Sequence, residues 1–387
     1  MILACENSRM REFDVAIVGA GIAGASLAYR LAAERSVLVL ERESQPGYHA
    51  TGRSAAMFIE SYGPPAVRAL TRASRAFYEQ APQGFADRPL LAPRGALYLA
   101  THGQQALLQQ TQRALEASGC EIDRLDASAA LDRVACLRPE VVHAALFEQG
   151  ARDLDVHALH QGFLRGMRAR GGELRKDAQV VAAQRNGRRW ALRLADGQTA
   201  HAQAVVDAAG AWADEVAALF GAAPIGLVAH RRSAFRFKAP DGADSSGWPA
   251  VVGVDESYYF KPDAGQLLGS PANADPTVAH DVVPEELDIA LGIHRIEAVT
   301  TLAIRRPTST WAGLRSFARD GEMVIGWDEH CPGFFWLAGQ GGYGIQSAAG
   351  ASELAASLLC GRPLPPELAR HGVDPQALAP QRLRCPF

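Results

Sequence analysis

Apolar and polar residues follow a clear order at the start of the chain. Residues 13–18 are largely apolar, the segment Gly-Ala-Gly-Ile-Ala-Gly follows at once, and Leu27, Ala28 and Leu31 then recur at helical spacing. Residues 36–40 are a second short apolar run. The pattern predicts a strand, a glycine turn, a helix and a second buried strand, which together form a βαβ unit.

The remaining segments alternate between helical and strand-like periods, while residues 44–63 show no period. Helices are predicted over residues 64–81, 103–118, 155–170, 284–298 and 344–359. Strands are predicted over residues 179–184, 190–194, 203–207, 322–326 and 334–338, and within the stretch 227–318. The predicted fold class is α/β with mixed α+β parts, in which a discontinuous Rossmann-like domain (residues 10–85, 150–225 and 320–387) carries an inserted antiparallel-sheet domain (residues 86–149 and 226–319).

Charge and composition exclude several classes of protein. The 387 residues carry 39 basic and 42 acidic side chains, a net charge of −3, without a long single-sign run, so no nucleic-acid partner is expected. Six cysteines without a C-x-x-C pair predict reduced thiols and no metal site. The sequence shows neither a transmembrane run nor a signal peptide, so we expect a cytoplasmic protein. Met10 offers a second possible start of translation.

Three glycines between the first predicted strand and helix form the strongest motif. Gly19, Gly21 and Gly24 make G-x-G-x-x-G, in which the first allows a tight turn, the second lets amides approach a pyrophosphate and the third lets helix and strand pack closely. Glu41 follows Gly21 by twenty residues at the end of the second strand, where a carboxylate accepts the hydroxyls of an adenosine ribose. The motif predicts a dinucleotide site, and Glu41 argues against a 2′-phosphate although Arg42 lies beside it.

The glycine motif alone does not separate NAD from FAD, but later segments favour the flavin. In GYHATGRSAA, Arg53 and Ser54 are candidates for the pyrophosphate, and the small Ala55 and Ala56 allow a flat ring to lie against the backbone. AGQGGYGIQ is a second glycine turn before a helix, whose N-terminus stabilises negative charge on a reduced ring. The predicted cofactor contacts are Gly19, Gly21, Ile22, Ala23, Gly24, Glu41, Arg42, Arg53, Ser54, Ala55, Ala56, Val180, Ala209, Gly210, Trp212, Gly341, Tyr343, Gly344, Ile345 and Gln346.

These stretches together resemble the D-amino-acid oxidase superfamily of FAD enzymes and, within it, the bacterial D-arginine dehydrogenases. The resemblance covers nearly the whole chain and rests on GYHATGRSAA, RALTRASRAFYE, RRSAF, DESYYFKPDAG, GSPANADP, TWAGLRSF and QGGYGIQ. It implies FAD-dependent oxidative deamination of D-amino acids to 2-oxo acids and ammonia, by hydride transfer from the α-carbon to the flavin. No cysteine lies beside GLRSF, where some relatives attach their flavin, so non-covalent FAD is expected.

Oxidation at an α-carbon requires the substrate carboxylate to be held in place, and a guanidinium group does this with two hydrogen bonds. Arg231 and Arg232 are neighbours in a strand, so only one of them faces a given pocket. Strand periodicity puts Arg231 on the side of Phe235 and Phe237, whereas the resemblance assigns the carboxylate contact to Arg232, which we follow.

The resemblance implies further substrate contacts. Arg315 is the second carboxylate-binding arginine, Tyr259 closes over the carboxylate, Tyr62 is a mobile lid tyrosine, and Gly342 offers a backbone acceptor to the amine. No His, Asp or Glu in these segments is required as a general base, because a neutral amine can lose a hydride while the proton leaves to water.

Two positions depart from the arginine-specific relatives. Ala96 stands where they carry a glutamate that binds the substrate guanidinium, and Met57 replaces a histidine of the same pocket. Loss of a charge-assisted contact costs roughly 1.5 to 3 kcal/mol. We therefore expect relaxed or apolar-leaning side-chain specificity, unless Glu60 or Asp87 supplies the missing charge.

Three alternatives stay open at this point. A carboxylate clamp also suits an FAD enzyme of another small amine or 2-hydroxy acid, such as glycine, sarcosine or a cyclic imino acid. A flavin subunit of a multi-chain dehydrogenase and a nicotinamide dehydrogenase are the other two. No motif identifies the electron acceptor, and the resemblance favours a quinone or dye over oxygen.

Overall fold

A computed structural model describes residues 12–239 and 244–384, so that Met10, Cys5 and Cys385 lie outside the described residues. The helices are α1 (Ile22–Leu31), α2 (Pro65–Glu79), α3 (Gln105–Ala117), α4 (Ala127–Arg133), α5 (Val156–Ala169), α6 (Ala213–Leu219), α7 (Glu286–Val299), α8 (Ala348–Leu359) and α9 (Pro366–Arg370). The strands are β1 (Glu12–Val18), β2 (Val37–Leu40), β3 (Met57–Phe58), β4 (Leu91–Pro93), β5 (Ala96–Thr101), β6 (Ile122–Asp126), β7 (Val142–Glu148), β8 (Arg152–Leu154), β9 (Glu173–Arg175), β10 (Val180–Asn186), β11 (Arg189–Leu194), β12 (Thr199–Asp207), β13 (Val228–Phe237), β14 (Ala250–Gly253), β15 (Tyr259–Asp263), β16 (Gln266–Ser270), β17 (Asp275–Thr277), β18 (Ser309–Phe317), β19 (Val324–Trp327) and β20 (Phe334–Ala338).

An eight-stranded sheet forms the first layer of the fold, with the order β10-β11-β12-β1-β2-β9. β20 pairs with the last residues of β12, after the part of β12 that pairs with β11, and β19 pairs with β20. β1 pairs in parallel with β2 and β12, and β12 pairs in parallel with β20. Because parallel strands end at the same edge of a sheet, the residues that follow β1, β2, β12 and β20 converge there.

Helices cover both faces of this sheet because its strands are apolar on both sides. Every residue of β2 and of β20 is buried, as is typical of parallel strands. Leu27 of α1, Phe163 of α5 and Leu354 of α8 pack into one core beneath the sheet, and α6 contributes Ala213 and Ala217 to the core on the other face.

A nine-stranded sheet forms the second layer, with the order β17-β13-β16-β15-β14-β5-β7-β6 and β18 beside β13. Its pairs are antiparallel, as predicted, except that β14 runs parallel to β5 with Ala250 opposite Ala96. α7 packs on one face of this sheet, where Ile289 and Ile296 meet Phe235. β3, β8 and β4 form a small third sheet.

The α/β class with Rossmann-like elements and additional sheets is therefore confirmed. The first sheet draws its strands from residues 12–40, 173–207 and 324–338, and the second from residues 96–148 and 228–317. The roles assigned to the two parts, FAD binding and substrate binding, stay a prediction.

Some local predictions need correction. The last long helix begins at Ala348 and not near residue 344, because residues 341–347 form consecutive turns in which Gly341 has φ +50°. The sequence period missed β5 and β7, whose alternation is masked because both faces of these strands are largely buried. Cys120, Cys136, Cys331 and Cys360 are free thiols, as expected. Within residues 12–239 and 244–384, no helix is both long and apolar enough to cross a membrane.

Candidate active site

A cavity of about 490 Å³ lies where the carboxyl edge of the first sheet meets the second sheet. Glu41 and Trp212 line one part of it, Gly21 lines another, and Arg315 and Gly342 belong to the wall that the second sheet and the last glycine turn form. The cavity is therefore built from segments that are far apart in the sequence.

The first glycine turn brings backbone rather than side chains to the cavity. Gly19 has φ +102°, and a Cβ there would lie 2.5 Å from the carbonyl oxygen of Ala208, so only glycine fits. A Cβ on Gly24 would lie 2.0 Å from the oxygen of Gly19, so the close packing of α1 on the turn requires glycine at this position. Gly21 is the N-cap of α1, and the first turn of that helix carries no acidic residue. The positive end of the helix dipole is therefore available to an anion.

Glu41 is held at the end of β2 by the glycine turn itself. Its Oε2 accepts a hydrogen bond from the amide of Ala20 at 2.9 Å, and its Oε1 accepts one from the amide of Glu43 at 3.0 Å. Beside it, the guanidinium of Arg42 stacks on the Trp212 ring at 4.0 Å, and the His49 ring lies on the same indole at 4.6 Å. This end of the cavity therefore combines a fixed carboxylate with aromatic surface.

The segment of residues 47–56 closes over the turn. Thr51 Oγ1 accepts a hydrogen bond from the amide of Ile22 at 3.0 Å. The contact of Arg53 with a pyrophosphate stays a prediction. In the structure its guanidinium donates to the carbonyls of Val282 and Ala312 and to the carboxylate of Asp281. Arg53 lines the cavity and ties this segment to residues 281 and 282.

Arg232 and Arg315 bring two guanidinium groups to one wall of the cavity. β13 and β18 are antiparallel, with Arg232 opposite Gly313 and His230 opposite Arg315, so the two arginines lie on the same face. Arg232 Nε donates to the carbonyl of Asn273 at 2.5 Å, and Arg315 Nη1 donates to the hydroxyl of Tyr62 at 3.2 Å. Within the described part of the chain, neither guanidinium forms an ion pair with a carboxylate. Burial, and then repulsion from Arg315, lowers the pKa of Arg232.

Arg231 points to the opposite face of β13. Its guanidinium contacts Glu285, Asp288 at 3.0 Å and Asp275 at 3.5 Å. Strand periodicity thus placed Arg231 correctly on the side of Phe235, and its ion pairs leave Arg232 as the arginine that faces the cavity.

The last glycine turn packs against Arg315. A Cβ on Gly342 would lie 2.9 Å from Arg315 Nη1 and 3.2 Å from the hydroxyl of Tyr62. The rings of Tyr62 and Tyr343 meet edge to face at 5.2 Å. Gln346 was predicted as a flavin contact, but its side-chain amide binds the chain around Tyr62: it donates to Tyr62 O and Thr71 Oγ1 and accepts from the amide of Ile59.

The residues predicted for the side-chain pocket lie apart from the large cavity. Ala96 is fully buried and Met57 half-buried, and neither lines the large cavity. Glu60 is paired with Arg75 at 2.8 Å, and Asp87 is exposed. Neither acid therefore supplies the charge that Ala96 lacks.

Most of the predicted site residues line one cavity. They are Gly19, Gly21, Ile22, Ala23, Glu41, Arg42, Arg53, Ser54, Ala55, Val180, Ala209, Gly210, Trp212, Arg232, Tyr259, Arg315, Gly341, Gly342, Gly344 and Ile345. Those outside its lining are Gly24, Ala56, Met57, Tyr62, Ala96, Tyr343 and Gln346. Their functional roles stay predictions.

The sequence analysis also overlooked several lining residues. His49 and Thr51 lie inside the quoted segment GYHATGRSAA, and Gln340 lies inside the second glycine turn, so the motifs could have named them. Gln179 and His280 belong to no motif.

Fold and cavity together define a dinucleotide-binding oxidoreductase in which a nucleotide turn and a guanidinium pair share one space. The family model DAO, FAD dependent oxidoreductase, matches residues 14–358, and the chain belongs to this family. The family predicted from the sequence is thereby confirmed, whereas the finer resemblance to D-arginine dehydrogenase stays a prediction.

Individual relatives agree with this assignment. A glycine oxidase of Bacillus licheniformis is 25% identical over 382 residues, which cover 92% of this chain and 95% of that protein. The glycine oxidase structure from Geobacillus kaustophilus has a TM-score of 0.80 at 23% identity, covering 91% of this chain and 95% of the other. Iminodiacetate oxidase from Chelativorans sp. BNC1 has a TM-score of 0.79 at 24% identity, covering 92% and 98%. The two solved structures show the shared fold.

The cofactor of the family is FAD, and the residues present fit it. The turn at Gly19 and Gly21 presents backbone where a Cβ would intrude, the first turn of α1 carries no acidic side chain, and the Glu41 carboxylate lies at the end of the second strand. These are the features that hold the pyrophosphate and ribose of a dinucleotide. When bound, FAD supplies a two-electron acceptor next to the substrate.

Proposed function

We propose that this protein oxidises D-amino acids at the bond between the α-carbon and the amine, giving 2-oxo acids and ammonia. The observation that carries the proposal is the pair Arg232 and Arg315, two guanidinium groups on one cavity wall without a carboxylate partner within the described chain. Such a pair is a preformed site for a small anion, and the α-carboxylate of a zwitterion fits it.

The residues of the site bind and orient, and none has to act as a base. Arg232, Arg315 and Tyr259 hold the carboxylate, Tyr62 closes over it through its contact with Arg315, and the backbone at Gly342 accepts from the amine. The substrate α-carbon would give up a hydride, for which FAD would be the acceptor when bound, and the bond between the α-carbon and the amine nitrogen would become a double bond. The amine proton leaves to water, and hydrolysis of the imine releases the 2-oxo acid and ammonia.

Side-chain specificity is proposed to be relaxed and to lean towards uncharged side chains. Ala96 and Met57 put no charge where arginine-specific relatives carry glutamate and histidine, and Glu60 is neutralised by Arg75. We also propose that FAD is held without a covalent bond, because no free cysteine of the described chain lines the cavity.

A second candidate is oxidation of glycine or another small amine. It is supported by the relative named glycine oxidase, which is 25% identical over 382 residues. The carboxylate clamp would serve both kinds of substrate, so the side-chain pocket decides between them.

The decisive experiment is anaerobic mixing of the purified holoenzyme with single substrates while flavin absorbance is followed. D-Leu, D-Met and D-Phe are expected to bleach the flavin faster than D-Arg, glycine, sarcosine or L-Leu. Bleaching by glycine or sarcosine alone would favour the second candidate, and bleaching by no substrate would overturn both. Reoxidation by oxygen, by a soluble quinone and by a dye, each with the isolated chain, identifies the acceptor class and shows whether partner chains are needed. We expect the quinone or the dye to be faster than oxygen.

A further inference from the structure

We propose that Glu148, together with Tyr98 and Ser61, forms the far end of the substrate pocket and recognises an uncharged hydrogen-bonding group on the substrate side chain. This inference rests on the proposed function and names the substrate class within it: D-amino acids with an apolar stem and a terminal carboxamide, such as D-glutamine.

Strand register places Tyr98 and Tyr259 on the same face of the second sheet. Tyr259 on β15 lies opposite Val252 on β14, and Val252 lies opposite Tyr98 on β5. Directly paired residues of neighbouring strands point to the same face of the sheet, and neighbouring strands lie about 4.8 Å apart. Tyr98 therefore shares the face of Tyr259 at a lateral distance of about 10 Å.

The three residues of this row are each only partly buried. Tyr98 is half-buried while its neighbours Leu97 and Leu99 are buried, and Val252 is half-buried between Val251 and Gly253, which are also buried. Tyr259 is half-buried at the start of β15. The row thus runs from the proposed carboxylate site, over an apolar residue, to a phenol.

Glu148 adds the acid at the end of this row. It lies opposite Ala96 on β5, two residues before Tyr98, and it is only 3% exposed. Its Oε2 accepts hydrogen bonds from Ser61 Oγ at 2.6 Å and from the Tyr98 hydroxyl at 3.0 Å. A buried carboxyl group thus lies on the strand next to Tyr98 and is in direct contact with the Tyr98 hydroxyl.

The surroundings of Glu148 favour an uncharged group as its ligand. Its side-chain hydrogen-bond partners are the Ser61 and Tyr98 hydroxyls, and no Lys, Arg or His of the described residues forms an ion pair with it. Burial raises the pKa of Glu148, and the nearby Glu60 carboxylate adds to the shift. A carboxamide donates N–H groups to a carboxyl oxygen without bringing a second charge into this buried site, which favours it as the ligand.

The chain around Ser61 connects the two ends of the pocket. Ser61 contacts Glu148, while the next residue, Tyr62, contacts Arg315. A substrate that spans from Arg315 to Glu148 would therefore lie beside both Ser61 and Tyr62. Binding of its side chain near Ser61 would then help to position Tyr62 at the carboxylate site.

The test compares D-glutamine with D-methionine, which have nearly the same length and shape but differ in hydrogen bonding. The measured quantity is the ratio of kcat/KM for D-Gln to that for D-Met, in the FAD-loaded protein and in its Glu148→Leu and Tyr98→Phe variants. We expect the ratio to fall about tenfold in Glu148→Leu and about threefold in Tyr98→Phe. D-Ala, which is too short to reach Glu148, should keep its kcat/KM in both variants.

Tyr258→Phe is the matched control, because the Tyr258 hydroxyl is buried without a hydrogen-bond partner in the described chain. Its ratio should equal that of the parent protein. An unchanged ratio in a folded, FAD-retaining Glu148→Leu overturns the proposal. If that variant does not fold, unchanged ratios in Tyr98→Phe and Ser61→Ala overturn it. If the parent protein oxidises no D-amino acid, the proposed function itself is overturned. If it oxidises D-Ala and D-Leu but the ratio of kcat/KM for D-Gln to that for D-Met is the same in the variants, only the role of Glu148 is overturned.

Discussion

Arg232 and Arg315 are diagonal neighbours on one face of the second sheet, because Arg232 is opposite Gly313 and Arg315 is two residues further along β18. Two like charges placed so close repel each other unless an anion lies between them, and the lowered pKa of Arg232 reflects burial and then this repulsion. The structure thus keeps a repulsive pair that a bound carboxylate would relieve.

The first prediction concerns this pair. Arg232→Lys and Arg315→Lys keep the charge but lose the planar fork, so kcat/KM for the best D-amino acid should fall about tenfold to a hundredfold, mainly through KM. Steady-state kinetics with a dye acceptor measures the change. Arg231→Lys is the matched control and should change kcat/KM less than about threefold, because the Arg231 guanidinium lies on the opposite face of β13, where it contacts Glu285 and Asp288. Equal losses in all three variants would contradict the assignment.

The second prediction concerns Gly342. A methyl group there would come within 2.9 Å of Arg315 Nη1 and 3.2 Å of the Tyr62 hydroxyl, so Gly342→Ala should displace the guanidinium and break its contact with Tyr62. We expect KM for D-amino acids to rise about tenfold, while the FAD content stays that of the parent protein. Flavin absorbance relative to protein absorbance checks the second point. Loss of FAD without a rise in KM would place Gly342 in cofactor binding alone.

The third prediction concerns Asp281, which fastens the segment of residues 47–56 to the second sheet. Its carboxylate accepts from Arg53 and from the Tyr48 hydroxyl at 3.1 Å, and these residues border the cavity. The hydrogen bond from Arg53 holds the pKa of Asp281 below its ordinary value. Because the site is exposed, Asp281→Asn should speed FAD release only about twofold to fivefold.

Flavin fluorescence after dilution into FAD-free buffer measures that release. Asp275→Asn is the control, since Asp275 is another exposed acid but contacts Arg231 on the other side of β13. Its release rate should match that of the parent protein. An unchanged rate in Asp281→Asn at low salt would show that the segment is held by its other contacts, such as Trp311 Nε1 to Arg53 O.

Local sequence patterns predicted the parts of the site that depend on backbone. The turn at Gly19 and Gly21 and the carboxylate at Glu41 follow from spacing, because only glycine fits the turn and the acid must end the second strand. Strand periodicity also separated Arg231 from Arg232. These features are fixed by residues close together in the sequence.

The sequence does not show which partner a side chain finds across the fold. Arg53 lies in the motif for the cofactor, yet its guanidinium binds Asp281, 228 residues away. Gln346 lies in the second glycine turn, yet it binds the chain around Tyr62. Glu148 had no motif at all, and its place opposite Ala96 follows only from the register of β5 and β7.

The last prediction concerns stability in acid. Asp328 is fully buried at its side chain and pairs with Arg384, and it also accepts from Trp336 Nε1 at 3.0 Å and from the amides of His330 and Cys331. Burial alone would raise the pKa of Asp328, but the hydrogen bonds from Trp336 and Arg384 outweigh it, so the pKa lies below its ordinary value.

The ionised carboxylate of Asp328 thus stabilises the folded state above the unfolded pKa of about 3.9, and this contribution is lost as the pH falls through the lower folded pKa. Asp328→Asn should therefore reduce the free energy of unfolding by roughly 3 kcal/mol near neutral pH. Urea unfolding followed by tryptophan fluorescence should show that the difference from the parent protein narrows below about pH 4, and a difference that is independent of pH would mean that shape, not charge, explains the loss.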